Sequence, residues 1–566
     1  MKIFFICCLI FLLCILAFPQ QSREEALQKI KSRQDLVVRE VKKDLYKIEH
    51  IISGDAFLED LSEQVTYTNT INTDSMVIEI FSIDTSLYSD MYLYWQSMDI
   101  SNAINGLLIA DFNSNGLAEL YGNRTVYNSN SLSPGVFELN AVGTNLELIF
   151  DYPDTGSIPK AKYDIDNDGL TEILLKTWGI PFGAVFFKQP SLNSIPTLPN
   201  FIYPKANRIQ VMSPCFGDFD KDGKVEFAFT GLGKTLYLAE FNPAITNFDS
   251  VFSFTISNYI GGITVGDFDL DGNTDIITGD VKGGAHIVEV QGNNQYVNVW
   301  NDTVEVPNAY YSFATNDIDN NGRPEFWIGG KHWTIGIILT CFEYVSNNIY
   351  VPKFKIKIPD YYSLNPLTTF TDDIDGNGEE EIIICADYFL LILKFSGSPN
   401  DHNYNIWYFN LRDFGEGETW TVTAFDLDKD GKKELFFDTY TQMDSMGQSY
   451  WKDITRIFEP NFTVNIKEQS ESIIEESNLY SNFPNPFNPS TNVKFELNKS
   501  ETVLIKVYNI LGKEIKLLLN ENLPAGEYTI QWDGKDNKGN SLPGGVYFIQ
   551  MRTANYYKSI KTILLK

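Results

Sequence analysis

From about residue 75 to about residue 465, the apolar positions of this chain fall in short runs broken by clusters of Gly, Asn, Asp and Pro. The runs VEFAFTG, TLYLAEF, SVFSFTI and GITVGDF show the unit: four strand-like segments within about fifty residues, separated by turn signals. Such a unit predicts a four-stranded sheet, and its recurrence predicts a repeat array. Ahead of the array, Leu27, Ile30, Val37, Val41, Leu45, Ile48 and Ile52 recur at helical spacing and predict an amphipathic helix over residues 22–52. The runs SMVIEIFSI and MYLYWQSM follow it and are expected to supply strands that join the start of the array to its last unit. Beyond the polar stretch KEQSESIIEESN, the segments VLIKVYNI, EYTIQW and GVYFIQM alternate like strands, with turns at LPAGEY, WDGKDNKGN and LPGG. They predict a small, separate β-sandwich.

Each unit carries one acidic loop of the pattern D-x-[DN]-x-[DN]-G-x-x-[DE]. The copies start at Asp111, Asp164, Asp218, Asp267, Asp317, Asp373 and Asp426, at intervals of 53, 54, 49, 50, 56 and 53 residues. A single copy reads equally well as a solvated turn, but seven in register do not. A hard cation such as Ca²⁺ takes six to eight oxygen ligands, and acids or amides at positions 1, 3, 5 and 9 supply them. The candidate ligands are Asp111, Asn113, Asn115 and Glu119; Asp164, Asp166, Asp168 and Glu172; Asp218, Asp220, Asp222 and Glu226; and Asp267, Asp269, Asp271 and Asp275. The last three loops add Asp317, Asp319, Asn321 and Glu325; Asp373, Asp375, Asn377 and Glu381; and Asp426, Asp428, Asp430 and Glu434. Glycine at position 6 permits the left-handed backbone that curls the loop. An EF-hand opens alike but closes with an acid at position 12, where this chain has Gly122, Leu175, Phe229, Thr278, Ile328, Ile384 and Phe437. The flanking runs are strand-like, so each loop is read as a strand-to-strand connection.

With their Gly-Asp-Phe-Asp entry, seen at Gly217–Asp220 and Gly266–Asp269, the loops resemble FG-GAP repeats, the blades of integrin α-subunit propellers and of many bacterial surface proteins. The resemblance implies a seven-bladed β-propeller with a Ca²⁺ ion between the first two strands of each blade, up to seven in all. The fold class expected is therefore all-β: the propeller, an immunoglobulin-like C-terminal β-sandwich and a short N-terminal helix. Counted as 2, 4, 4, 4, 3, 3 and 4 carboxylates along the chain, the loops are expected to bind with graded affinity, the first most weakly.

The C-terminal segment resembles the sorting domain of proteins exported by the bacterial type IX secretion system. The matching pieces are Asn485-Pro486-Phe487-Asn488-Pro489, Val507-Tyr508-Asn509, Trp532-Asp533-Gly534, Gly545-Val546-Tyr547-Phe548 and the terminal KTILLK. That resemblance implies the type IX machinery as a partner and a secreted or cell-surface destination. Asp533 and Asp536 lack the loop spacing and are read as a hairpin turn.

The first residues, MKIFFICCLIFLLCILAFPQQS, hold one lysine and then an apolar run of 16 residues, which suits a signal peptide better than a membrane span. A lipid anchor at Cys14 and a retained membrane anchor are the alternatives. Leu13 stands where a lipoprotein signal wants a small residue. The expected layout is a signal peptide at 1–21, the helix at 22–52, the propeller at 53–470, a linker at 471–477 and the sorting domain at 478–566. A formal charge of −30, from 44 basic and 74 acidic residues, argues against nucleic acid as a partner. Once the signal is removed no membrane span is expected, and Cys215, Cys341 and Cys385 form no disulfide framework.

The chain has four histidines, His50, His286, His332 and His402, and neither G-x-S-x-G nor H-E-x-x-H. No catalytic residue is assigned. His286 and His332 follow their loops at comparable distances, which leaves open a shared site on adjacent blades. The reading reached is a non-catalytic binding or adhesion module for an extracellular protein or glycan. The alternative is a polysaccharide lyase or hydrolase that uses paired carboxylates outside the loops.

Overall fold

The computed structural model of the chain describes residues 24, 27, 28, 31, 36–50, 56–61, 73–98, 100, 107–125, 132–139, 145–152, 157–177, 183–203, 212–230, 233–361, 367–411, 418–445, 448–462 and most of 477–564. The expected signal peptide, and the expected linker apart from residue 477, lie outside the described residues. Two compact units divide at residues 464 and 465.

In the first unit seven antiparallel sheets follow one another along the chain. The first is made of Leu108–Ala110, Glu119–Thr125, Leu132–Leu139 and Leu146–Asp151. The second to sixth span residues 157–203, 212–255, 260–303, 311–358 and 367–411. Apart from an edge strand added to the fifth and seventh sheets, the order of strands in space is their order in sequence. The seventh sheet takes only Glu418–Phe425, Glu434–Ser445 and Gln448–Pro460 from its own stretch of chain. Its outermost strand is Tyr92–Met98, from ahead of the first sheet, paired antiparallel with Gln448–Pro460 as the MYLYWQSM run led us to expect. The SMVIEIFSI run behaves otherwise: Asp74–Val77 adds in parallel to the edge of the fifth sheet, Asp74 facing Phe354.

Burial grades across each sheet. Every residue of the second strands Asp275–Asp280 and Glu381–Ala386 is buried, whereas the fourth strand Gln295–Thr303 is mostly exposed or half-buried. A near-continuous apolar run is what a strand covered on both faces requires. Its covers are the neighbouring sheets. A distinct apolar cluster joins the first sheet to the second (Tyr121, Phe187), and so on around to the sixth and seventh (Ile392, Phe437). A further cluster packs Leu427, Phe436 and Ile457 of the seventh against Leu107, Ile109 and Leu120 of the first. Between the second and third sheets it is largely aromatic, with Phe227 stacked at 4.7 Å on Phe216 and 4.4 Å on Phe229. All seven first strands, or residues beside them, line one cavity of about 540 Å³.

The expected helix is overturned over Leu36–His50. Residues Leu36–Lys42, Leu45–His50 and Ala56–Asp60 form a three-stranded antiparallel sheet, and helical backbone occurs at Glu24, Leu27, Gln28 and Lys31. The apolar spacing fitted both periods, and local chemistry decides between them. Val37, Val38 and Val41 are β-branched, and Asp44, at φ 62°, turns the chain so that Leu45 pairs with Lys42. Leu45 is buried with Val281 and Tyr310, and Glu59 lies 3.6 Å from Lys331. The small sheet thus covers the ends of the fourth and fifth sheets opposite their acidic loops.

The second unit pairs a three-stranded sheet with a four-stranded one around Val493, Phe495, Val503, Ile505, Trp532, Ile549 and Met551. Phe487 of the Asn-Pro-Phe motif is buried 5.2 Å from the Trp532 ring, and its N–H bonds the Ile563 carbonyl. Asp536 accepts from the Lys538 and Asn540 N–H groups, the hairpin turn read from the sequence.

Candidate metal centres in the acidic loops

Each acidic loop joins the first strand of a sheet to the second, so the array presents seven copies of one geometry. In all seven, the position-6 glycine N–H donates to the position-1 aspartate at 2.8–3.0 Å. The position-2 N–H donates to the position-9 acid at 2.5–3.0 Å. The position-7 N–H donates to the side chain at position 5 at 2.7–2.9 Å. Two left-handed residues fold the turn: the glycine, at φ 85–94°, and position 4, at φ 56–73°. A Cβ on Gly169, Gly223, Gly272, Gly322, Gly378 or Gly431 would meet nothing within 4 Å, so the glycine serves the dihedral and not the space.

These bonds use one oxygen of each terminal carboxylate and leave the other. Asp111 Oδ1 and Glu119 Oε1, Asp267 Oδ1 and Asp275 Oδ1, and Asp317 Oδ1 and Glu325 Oε1 are buried without a hydrogen-bond partner, as are Glu226 Oε1 and Asp426 Oδ1. Buried, unpartnered carboxylate oxygens are costly in isolation, and this donor set of clustered hard oxygens fits a hard cation. Groups able to hold an ion include Asp218, Asp220, Asp222 and Glu226; Asp164, Asp166 and Glu172; Asp267, Asp269 and Asp271; and Asp373, Asp375 and Glu381. Burial, helped by neighbouring loop carboxylates, pushes Glu119 and Asp275 up to about 7 and Glu226, Glu325 and Glu434 up to about 8.

Two features of these loops were missed from sequence. The first is a third-strand residue directly across from the position-9 acid. It is Glu138 opposite Glu119, Lys188 opposite Glu172, Glu240 opposite Glu226 and Glu289 opposite Asp275. The adjoining pairs Phe326–Phe342, Ile382–Leu393 and Leu435–Phe458 put Glu343, Lys394 and Glu459 at the same place in the last three sheets. Glu138 accepts from the amides of Asn113 and Asn115 at 3.0 and 2.8 Å. Lys188 Nζ instead lies 2.6, 2.8 and 3.0 Å from Asp166, Asp168 and Glu172.

The second feature is a clasp from the next sheet. The hairpin between third and fourth strands reaches over the preceding loop, and its backbone N–H donates to the position-3 aspartate at 2.6 Å: Asn294 to Asp220, Asn348 to Asp269 and Asn400 to Asp319. All three asparagines are left-handed, at φ 53°, 57° and 66°. Beyond Asn400, His402 joins Asp319, Glu325 and Glu343 in one buried group. Its Nε2 lies 3.8 Å from both Asp319 Oδ2 and Glu343 Oε1, while Nδ1 is 2.9 Å from the Tyr404 hydroxyl. Lys429 of the seventh loop lies 3.5 Å from Asp111 of the first.

Against known families, residues 218–278 match the FG-GAP-like repeat and residues 482–556 match the FlgD Ig-like domain. No curated protein matches significantly. Among solved structures, the crystal structure of BBS1N in complex with ARL6DN, soaked with lead, aligns over 65% of this chain and 97% of its own, at 10% identity and a TM-score of 0.41. PorZ, an essential bacterial surface component of the type IX secretion system of Porphyromonas gingivalis, aligns over 94% of this chain and 66% of its own, at 13% identity and a TM-score of 0.34.

The other candidate residues are not brought together. His286 bonds Asn301 at 2.7 Å and lies 3.4 Å from Asp280, while His332 is buried and bonds Thr334 at 2.8 Å. Cys341 and Cys385 are buried, and burial pushes the Cys215 thiol up to about 12. Among the described residues, the wall of the central cavity carries one carboxylate, Asp372, which accepts from Lys433 Nζ. No described helix is long and apolar enough to cross a membrane.

Proposed function

We propose that the chain is a secreted or cell-surface seven-bladed β-propeller. Its acidic loops bind Ca²⁺ as a structural ion, and its exposed surface binds an extracellular protein or glycan without catalysis. The observation that carries this reading is the set of buried, unpartnered carboxylate oxygens at positions 1 and 9, paired in the loops from Asp111, Asp267 and Asp317 and single in those from Asp218, Asp373 and Asp426. The seven-bladed form is supported by seven sheets, seven inter-sheet clusters and a cavity shared by the first strands. The FG-GAP-like match supports it too. A structural role for the ion follows from the clasps: a cation at the loop would bind the first two strands of one sheet beneath a hairpin of the next. The signal-like N-terminus and the motifs of the C-terminal immunoglobulin-like unit support export through the type IX machinery. Glycoside hydrolysis draws on two carboxylates across a cleft, and among the described residues the cavity wall has one.

Two measurements on the purified chain test the reading. Excess EGTA should lower the melting temperature by roughly 10–20 °C, because each loop occupied at a hundredfold above Kd adds about 2.7 kcal/mol. An unchanged melting temperature would refute the calcium role. In a polysaccharide screen with calcium or EGTA, retention without product supports the binding module, and released product overturns it.

A further inference from the structure

Lysine stands at the third-strand position in the second and sixth sheets, where the other five have glutamate. Lys188 Nζ sits 2.6–3.0 Å from three loop carboxylates, and Lys394 Nζ sits 2.9 Å from Asp375 and 3.1 Å from Glu381. Both ammonium groups touch the position-9 acid and the position-3 acid together, which is where an ion bound by the loop would have to lie. In the loop from Asp164 no carboxylate oxygen is left buried and unpartnered, in contrast to the loops from Asp111, Asp267 and Asp317; in the loop from Asp373, Glu381 Oε1 accepts no hydrogen bond and has Lys394 Nζ at 3.1 Å as its ion-pair partner.

The lysine at position 7 of the third loop is a different case. Lys224 pairs with Asp222 at 3.1 Å and Glu240 at 2.7 Å from a 43% exposed position, and Glu226 Oε1 stays without a partner. It neutralises the rim and leaves the inner oxygens free.

Building on the calcium reading above, we propose that the third-strand residue decides whether a loop takes a metal. Glutamate at 138, 240, 289, 343 and 459 adds a carboxylate to the site. Lysine at 188 and 394 supplies the cation itself, so the loops from Asp164 and Asp373 stay metal-free and the chain takes five ions, not seven. An ion entering either loop would have to displace an ammonium group fixed to the same sheet. The second loop, among the richest by charge count, is on this account one that calcium does not enter.

Native mass spectrometry of the full chain, stripped with EGTA and titrated with CaCl₂, counts the ions. Five are expected for the parent, six for Lys188→Glu, seven for Lys188→Glu with Lys394→Glu, and four for Glu459→Lys, whose side chain is exposed and tolerates the exchange. Seven ions on the parent, or five on folded Lys188→Glu, would overturn the proposal. If Lys188→Glu does not fold, the count on Glu459→Lys decides: four supports the proposal and five overturns it. No ion on the parent would instead remove the calcium reading on which it rests.

Discussion

The loops from Asp164 and Asp267 each offer four carboxylates, yet they meet opposite neighbours. Across from Glu172 stands Lys188, which gathers three of the four acids; across from Asp275 stands Glu289, which adds a fifth. In the fourth loop Asp267 Oδ1, Asp275 Oδ1 and Glu289 Oε2 are buried without partners, and burial lifts Asp275 to about 7. In the second loop Lys188 opposes the effect of burial on Glu172 and holds Asp168 below its usual range. Equal loop charge therefore does not mean equal demand for an ion. A residue outside the motif sets the demand.

The contrast is broken most directly at Lys188. Lys188→Ala should cost about 2–3 kcal/mol in EGTA, as expected for removing one partner of a largely buried ion pair, and less in millimolar calcium, which then enters the emptied loop. Equal losses with and without calcium, measured by denaturant unfolding, would contradict it. The next effect is on pH. In the metal-free chain Asp275, Glu226 and Glu325 have folded values near 7 to 8, above the ordinary carboxylate range, so folding favours their protonated forms. Their contribution is full below about pH 4 and is lost as pH rises through 7 to 8. Melting of the chelated chain should fall across that window, and calcium should flatten the curve. The smallest effect compares two tyrosines. The Tyr350 hydroxyl donates to Asp275 at 2.9 Å, whereas the buried Tyr296 hydroxyl has no partner. Tyr350→Phe should cost about 1 kcal/mol, and Tyr296→Phe should be close to neutral by the same unfolding assay.

The all-β architecture and the loops were legible because both are local. An aspartate at position 1 and a glycine at position 6 bond each other, so their spacing is fixed in the chain. The third-strand partner is not. It follows the position-9 acid by 13 residues from Glu381 to Lys394 but by 25 from Glu434 to Glu459, because the hairpin between them varies in length. Only strand pairing brings it into register, and a charge count confined to the motif misranks the second loop. His402 was hidden in the same way, since it reaches the fifth loop from the sixth sheet. The N-terminal segment failed for a different reason: seven apolar residues fitted a helix, but the valines and the left-handed Asp44 made a hairpin that buries Leu45 under the fourth and fifth sheets.

The strand Tyr92–Met98, which completes the seventh sheet, has a kinetic consequence. It leaves the ribosome ahead of its partner, Gln448–Pro460, and must wait for it over some 350 residues. Closing so large a span costs about 5 kcal/mol of chain entropy before any pairing repays it. Six sheets are able to form during synthesis while the last stays one strand short, with an open edge on Gln448–Pro460. Once that strand is seated, the two ends of the array are fastened by the pairing of the whole strand.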